Sequence, residues 1–121
     1  MTPFGEKLRE MRAVRGVTLK AMAEALDVSP AYLSALEHGK RGVPTYFLVQ
    51  RVITFFNVIW DEAEELVRLA QVSDPRVVVD TAGLTPRATE FANRLAKAIA
   101  RLEDEKIEAL LAILPSEGRR R

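Results

Sequence analysis

Residues 16–44 read GVTLKAMAEALDVSPAYLSALEHGKRGVP, and two short helical patterns lie inside them. Thr18 precedes the first, LKAMAEAL, where its hydroxyl can accept from an amide of the opening turn that has no helical partner. Met22, Ala23 and Leu26 recur at a spacing that puts them on one inward face. Ser29-Pro30 opens the second pattern with a capping hydroxyl, then a proline whose missing N–H costs nothing at the first helical position. Val28, Leu33 and Leu36 form its inward set, and Gly39 is the expected stop. Only Asp27, Val28 and Ser29 separate the two helices. Ala23 matters because helices that cross steeply need a small side chain where they meet.

The same punctuation recurs on either side. Thr2-Pro3 opens a helix expected to run to about Val14, with Phe4, Leu8 and Met11 inward and Gly16 ending it. Pro44 is expected to open a fourth helix through about Phe56. Asn57-Val58 makes a turn, and a fifth helix covers 59–71. Its carboxylates Asp61, Glu62, Glu64 and Glu65 suit the early turns of a helix and otherwise form a solvated face. Residues 1–70 therefore read as one helical domain.

After Ala70 the composition changes. Residues 71–84, QVSDPRVVVDTAGL, read as a linker with a possible short strand at Val77–Val79. Residues 85–121 form a C-terminal helical region: Thr85-Pro86 starts a helix with Ala88, Phe91, Leu95, Ala98 and Leu102 in a stripe. Ile107, Leu110, Leu111 and Leu114 fall out of phase with it, which predicts a break near Glu103–Glu105. PSEGRRR reads as a frayed tail. The fold class is all-α.

Composition removes whole classes of function. The 121 residues contain no Cys and one His, His38, which excludes disulfides and thiolate chemistry and leaves no ordinary zinc set. No metal or cofactor is expected, and no His–carboxylate spacing suggests an enzyme. The run VVVDTAGL resembles the Mg²⁺-side motif of GTPases, yet the chain has no Gly-x-x-x-x-Gly-Lys-Ser/Thr loop to hold phosphates. MTPFGEKLREMR lacks the apolar segment of a signal peptide, and FLVQRVITFFNVIW is interrupted by Gln50, Arg51 and Thr54. No membrane partner is expected, and the cytoplasm is the expected location. A net charge of +1 means that any basic surface must be local.

The pair of helices over 16–44 resembles the helix-turn-helix of the Cro and phage-repressor family, also known as the xenobiotic-response-element family. The Leu/Ala pair of helix two, Val28-Ser29 before helix three and Glu37-x-Gly39-Lys40-Arg41 after it carry the resemblance, which spans roughly residues 4–70. It implies a five-helix repressor-like domain that binds double-stranded DNA. It also implies contacts from Thr18, Lys20, Ser29, Pro30, Ala31, Tyr32, Ser34 and Ala35, with His38, Lys40 and Arg41 at the phosphates. Family pattern further pairs Arg12 with Glu37, and Glu37 needs such a partner because it follows Leu33 and Leu36 on an apolar phase. Two positions depart from the pattern. Asp27 replaces the usual glycine of the turn, which is tolerable because Asp visits the left-handed region. Leu19 replaces a glutamine, removing a polar contact to DNA.

The expected reading face is poor in reading groups. Between Ser29 and Glu37 there is no Arg, Lys, Asn or Gln. Pro30, Ala31 and the outward-facing Ala35 offer methyl and methylene groups for thymine methyls, and Ser34 suits either kind of base edge. Such a reader depends on phosphate contacts and DNA shape. Lys40-Arg41 otherwise form a solvated basic loop, and His38 an ordinary exposed side chain.

The sequence thus points to a homodimeric transcriptional regulator, in the first instance a repressor on an inverted repeat. Phe91, Leu95, Ile99 and Leu102 are the expected dimerisation residues. An antitoxin whose C-terminal segment wraps a toxin, and a protein–protein adaptor without DNA affinity, are the alternatives. A neighbouring toxin gene would favour the former and flat binding to DNA libraries the latter.

Overall fold

The computed structural model describes residues 1–40 and 42–115. It divides into two compact units, Met1–Val77 and Val78–Arg121. The tail from Ser116, expected to fray, lies outside the described residues.

Five helices build the first unit: α1 (Pro3–Arg15), α2 (Leu19–Leu26), α3 (Pro30–His38), α4 (Tyr46–Phe56) and α5 (Trp60–Gln71). α1 packs on α3 and α5, α2 on α3 and α4, and α4 on α5. The expected inward residues of the first three helices meet in one core with Leu48, Val52, Phe56 and Leu66. Val28 is half-buried at its margin.

Side-chain hydroxyls start four of these helices. Thr2, Thr18, Ser29 and Thr45 each accept from the amide three residues on, at 3.0, 3.0, 3.0 and 3.1 Å. Such a cap is worth about 1 kcal/mol, and four of them delimit helices too short to persist alone. The cap of α4 is Thr45, not Pro44; the proline is buried just outside the helix, where its fixed backbone directs the chain into the turn. Left-handed residues Gly16, Asp27, Gly39 and Asn57 end the first four helices. Asp27, at φ 61°, adopts the conformation expected of it. Trp60 also has positive φ, at 54°, which is uncommon for so bulky a side chain.

The first unit extends past Ala70 into the stretch read as linker. Buried Ser73 accepts from the amide of Phe4 at 2.9 Å and donates to the carbonyl of Leu69 at 2.6 Å. One hydroxyl thereby closes an open amide of α1 and gives a second donor to a carbonyl of α5 that also accepts from the Val72 amide.

The second unit holds α6 (Pro86–Ala98), a 3-10 turn (Ile99–Arg101) and α7 (Asp104–Ile113). Thr85 caps α6 at 3.2 Å. The break expected near Glu103–Glu105 begins earlier: α-helical bonding stops at Ala98, and Leu102 and Glu103 are extended. The expected strand at Val77–Val79 is absent, and no strand occurs among the described residues. Its three valines stand in solvent without a neighbouring strand to pair with, and an isolated strand has nothing to stabilise it. The following DTAGL run is a helix-entry turn. Asp80 accepts from the amide of Ala82 at 2.9 Å, and the hydroxyls of Thr81 and Thr89 lie 2.9 Å apart.

Gly5 lies where α1 meets the end of α3. A methyl group there would strike the Glu37 carbonyl and sit 2.7 Å from its Cα. Glycine to alanine inside a helix ordinarily stabilises by up to about 1 kcal/mol. Here the sign reverses, because the atoms in the way are backbone. Gly5→Ala is expected to destabilise the chain by about 1–3 kcal/mol in urea titrations; a gain in stability would show that the crossing is not tight.

Candidate nucleic-acid interface

α3 is held by its inner face. Leu33, Leu36 and Glu37 are buried, while Pro30, Ala31 and Tyr32 are exposed. Ser34 and Ala35 are half-buried, so Ala35 does not point fully outward as its phase suggested. The open part of the surface is therefore the first turn of α3, extended by exposed Thr18 and Lys20 at the start of α2 and by the Ser29 cap. Two capped helix N-termini carry the positive ends of their dipoles.

The anchor beneath this surface is ionic. Arg12 of α1 donates from Nε and Nη2 to the two carboxylate oxygens of Glu37 at 3.0 and 2.9 Å, and from Nη1 to the carbonyl of Val17 at 3.3 Å. The Glu37 side chain is 2% exposed and that of Arg12 16%. A planar guanidinium matches both oxygens at once, which fixes the end of α3 in orientation as well as position. Its remaining N–H groups are the only ones free to reach a phosphate.

The basic flank is more constrained than its sequence suggests. The Lys40 amide donates to the carbonyl of Ala35 at 3.0 Å as part of the helix stop, so only the Lys40 side chain is free to meet a ligand. His38 Nδ1 lies 2.8 Å from the Ser34 carbonyl. A carbonyl only accepts, so Nδ1 carries the hydrogen, and Nε2 can donate to a phosphate only when the ring is doubly protonated. Arg41 lies outside the described residues.

Two residues join the surface that the sequence did not assign to DNA contact. Arg76, in the stretch read as linker, lines a polar pocket with Lys40, Gly42 and Asp74. Its only signal was Asp74-Pro75, whose carboxylate accepts from the Arg76 amide at 2.9 Å and turns the chain back. Phe47, 74% exposed, shares a shallow groove with Ser29 and Tyr32.

A protein-family profile described as a helix-turn-helix domain matches residues 3–77. The chain belongs to the helix-turn-helix domain family. The match ends at the boundary of the first unit. Among curated relatives, the uncharacterized HTH-type transcriptional regulator RghRB of Bacillus subtilis is 34% identical over 61 residues, 50% of this chain and 44% of that protein. The HTH-type transcriptional repressor RghR of the same organism is 48% identical over 44 residues, 36% of this chain and 33% of its own length. The HTH-type transcriptional activator BcrR of Enterococcus faecalis is 36% identical over 74 residues, 59% of this chain and 36% of its own. The chain spans less than half the length of each of these three relatives. No solved structure matches it.

In the second unit of this helix-turn-helix protein, Phe91, Leu95 and Leu102 line one groove with Ala98 and Leu110. Ile99, grouped with them by sequence, stands exposed on the 3-10 turn. Among the described residues no helix is long and apolar enough to cross a membrane.

The ion pair yields a stability test. Arg12→Met leaves the Glu37 carboxylate buried without its partner and is expected to cost about 3 kcal/mol or more. Adding Glu37→Leu removes the stranded charge and is expected to restore most of that loss. Equal stability of the single and double variants in urea titrations would mean that the pair is not coupled.

Proposed function

We propose that this chain is a sequence-specific DNA-binding regulator of transcription, a homodimer on an inverted-repeat site and a repressor by occupying it. The observation that carries the reading is the arrangement around α3. An open turn, Pro30, Ala31 and Tyr32, is seated by the Arg12–Glu37 pair and flanked by a lysine on a capped helix stop. Membership in the helix-turn-helix family and relatives named as transcriptional regulators support it.

The division of labour follows from side-chain length. Pro30 and Ala31 let the backbone of α3 approach the floor of the major groove and touch thymine methyls. Tyr32 reaches further, to a base edge or a phosphate. Thr18, Lys20, Ser29, Lys40 and, in this reading, Arg41 and Arg76 hold phosphates, which sets register and affinity without reading sequence. Ser34 and Ala35, half-buried, contribute only their outer edges. So small a set of base contacts binds weakly alone, and linking two copies raises affinity through effective concentration. Two-fold symmetry then sets the half-sites about 34 Å apart, one helical turn.

Footprinting the purified protein on sheared genomic DNA tests the reading: inverted repeats are expected, and uniform protection would overturn it. Two variants test the residues. Ala31→Glu places a carboxylate on the open turn, against phosphates and groove acceptors. It is expected to lower specific affinity at least about a hundredfold, each lost factor of ten being about 1.4 kcal/mol. As an exposed substitution it is expected to change stability by no more than about 0.5 kcal/mol. Unchanged operator affinity would remove this turn from the interface. Lys40→Gln is expected to weaken specific and non-specific DNA equally and to reduce the slope of log K against log salt by about 0.9. An unchanged slope would make Lys40 a bystander.

A further inference from the structure

The second unit is not completed by its own residues. None of its described side chains is buried, although it carries Phe91, Leu110, Leu111 and Leu114. A segment that buries so little apolar surface does not offset the entropy of ordering its helices. Its groove, about 400 Å³, has an apolar floor of Phe91, Leu95, Leu102 and Leu110, with Arg87, Arg94 and the Glu90 that pairs with Arg94 at the rim.

Charge is divided between the two helices. Residues 86–101 carry four cations, Arg87, Arg94, Lys97 and Arg101, against one carboxylate, Glu90. Residues 103–114 carry four carboxylates, Glu103, Asp104, Glu105 and Glu108, against one cation, Lys106. Among the described residues no ion pair joins α6 to α7; Arg94 meets Glu90 of its own helix at 3.2 Å, where both are largely exposed. Asp104, Glu108 and Leu111 recur along α7 at intervals of four and three and share one exposed face, and exposed Leu114 follows directly after the helix end. Leu110, on a neighbouring face, lines the groove of its own chain.

We infer that this groove takes α7 of a second copy, and that the exchange is reciprocal. The inference rests on the proposed homodimer and names the surfaces that make it. A two-fold interface must be complementary to itself. A basic helix and an acidic helix of equal and opposite charge within one unit satisfy that condition, because each copy supplies what the other lacks. Leu111 and Leu114 of the second copy enter the apolar floor, and its Asp104 and Glu108 face Arg87 and Arg94 at the rim. DNA is a poorer occupant, since it would meet the carboxylates of α7. An unrelated protein has no need to match both charges.

The full-length chain tests this by sedimentation equilibrium over a range of protein and salt concentrations. One variant carries Arg87→Glu and Arg94→Glu, a second Asp104→Lys and Glu108→Lys. Each alone is expected to raise the dimer dissociation constant at least tenfold. An equimolar mixture is expected to form heterodimers close to wild-type strength, since both contacts again join opposite charges. Circular dichroism checks that each variant keeps its helices, and a chain with all four changes is expected to dimerise even where a single pair of changes unfolds the unit. If the mixture stays monomeric while the four-fold variant dimerises, the charges pair within one chain and the exchange is wrong. If both variants dimerise like wild type, the homodimer stands on another surface and this pairing falls. A wild-type chain that stays monomeric throughout removes the homodimer and the pairing together.

Discussion

Glu37 carries a carboxylate into the interior of the first unit, and Arg12 reaches it from another helix with two bonds of 3.0 and 2.9 Å. A buried charge without such a partner is costly, so the folded state must keep α1 and the end of α3 in this relation. The contact is reinforced sterically, since Gly5 lets the backbone of α1 come against the Glu37 backbone. Everything on the outer side of α3 inherits its placement from this seat: the open first turn, the His38–Gly39 stop and Lys40. Replacing the pair with apolar groups would preserve packing but lose the directional constraint that two N–H···O bonds impose.

A rigid seat suits a surface that has little to say base by base. Long side chains such as Arg or Gln search for their partners; alanine and proline cannot, and contribute only if the backbone beneath them is correctly placed. The caps serve the same end. Ser29 and Thr45 fix where α3 and α4 begin, and Arg51 of α4 donates to the Leu26 carbonyl at 3.0 Å, binding the end of α2 to the scaffold. Ser73 closes the far side by joining α5 to α1. The first unit thus has a core closed from several sides, whereas none of the described side chains of the second unit is buried.

Much of the first unit was legible in the residues, because the signals there are local. Thr2, Thr18 and Ser29 mark helix starts, and Gly16, Asp27 and Gly39 mark helix ends. Apolar spacing names the core of the first three helices. These features act within four or five residues of the chain and need no neighbour to be understood. Pro44 shows where such reasoning slips: a Pro-Thr pair permits either residue to begin the helix, and the Thr45 hydroxyl, which accepts from the Leu48 amide, marks the start. The run at Val77–Val79 shows the converse, since β-branched residues favour a strand only where another strand is present to pair with.

What only the tertiary structure decided concerns groups distant in sequence. Gly5 looks like a weak point in α1 until α3 is laid against it. Ser73 looks like linker until its hydroxyl is found between Phe4 and Leu69, and Arg76 until the turn at Asp74 brings it round to Lys40. The amide of Lys40 is spent on the carbonyl of Ala35, and the outward phase of Ala35 is partly covered. In each case the deciding contact lies between groups that the one-dimensional pattern does not bring together. Short-range periodicity determined where the helices lie and which way they face; long-range packing determined which of their surfaces remain available to a partner.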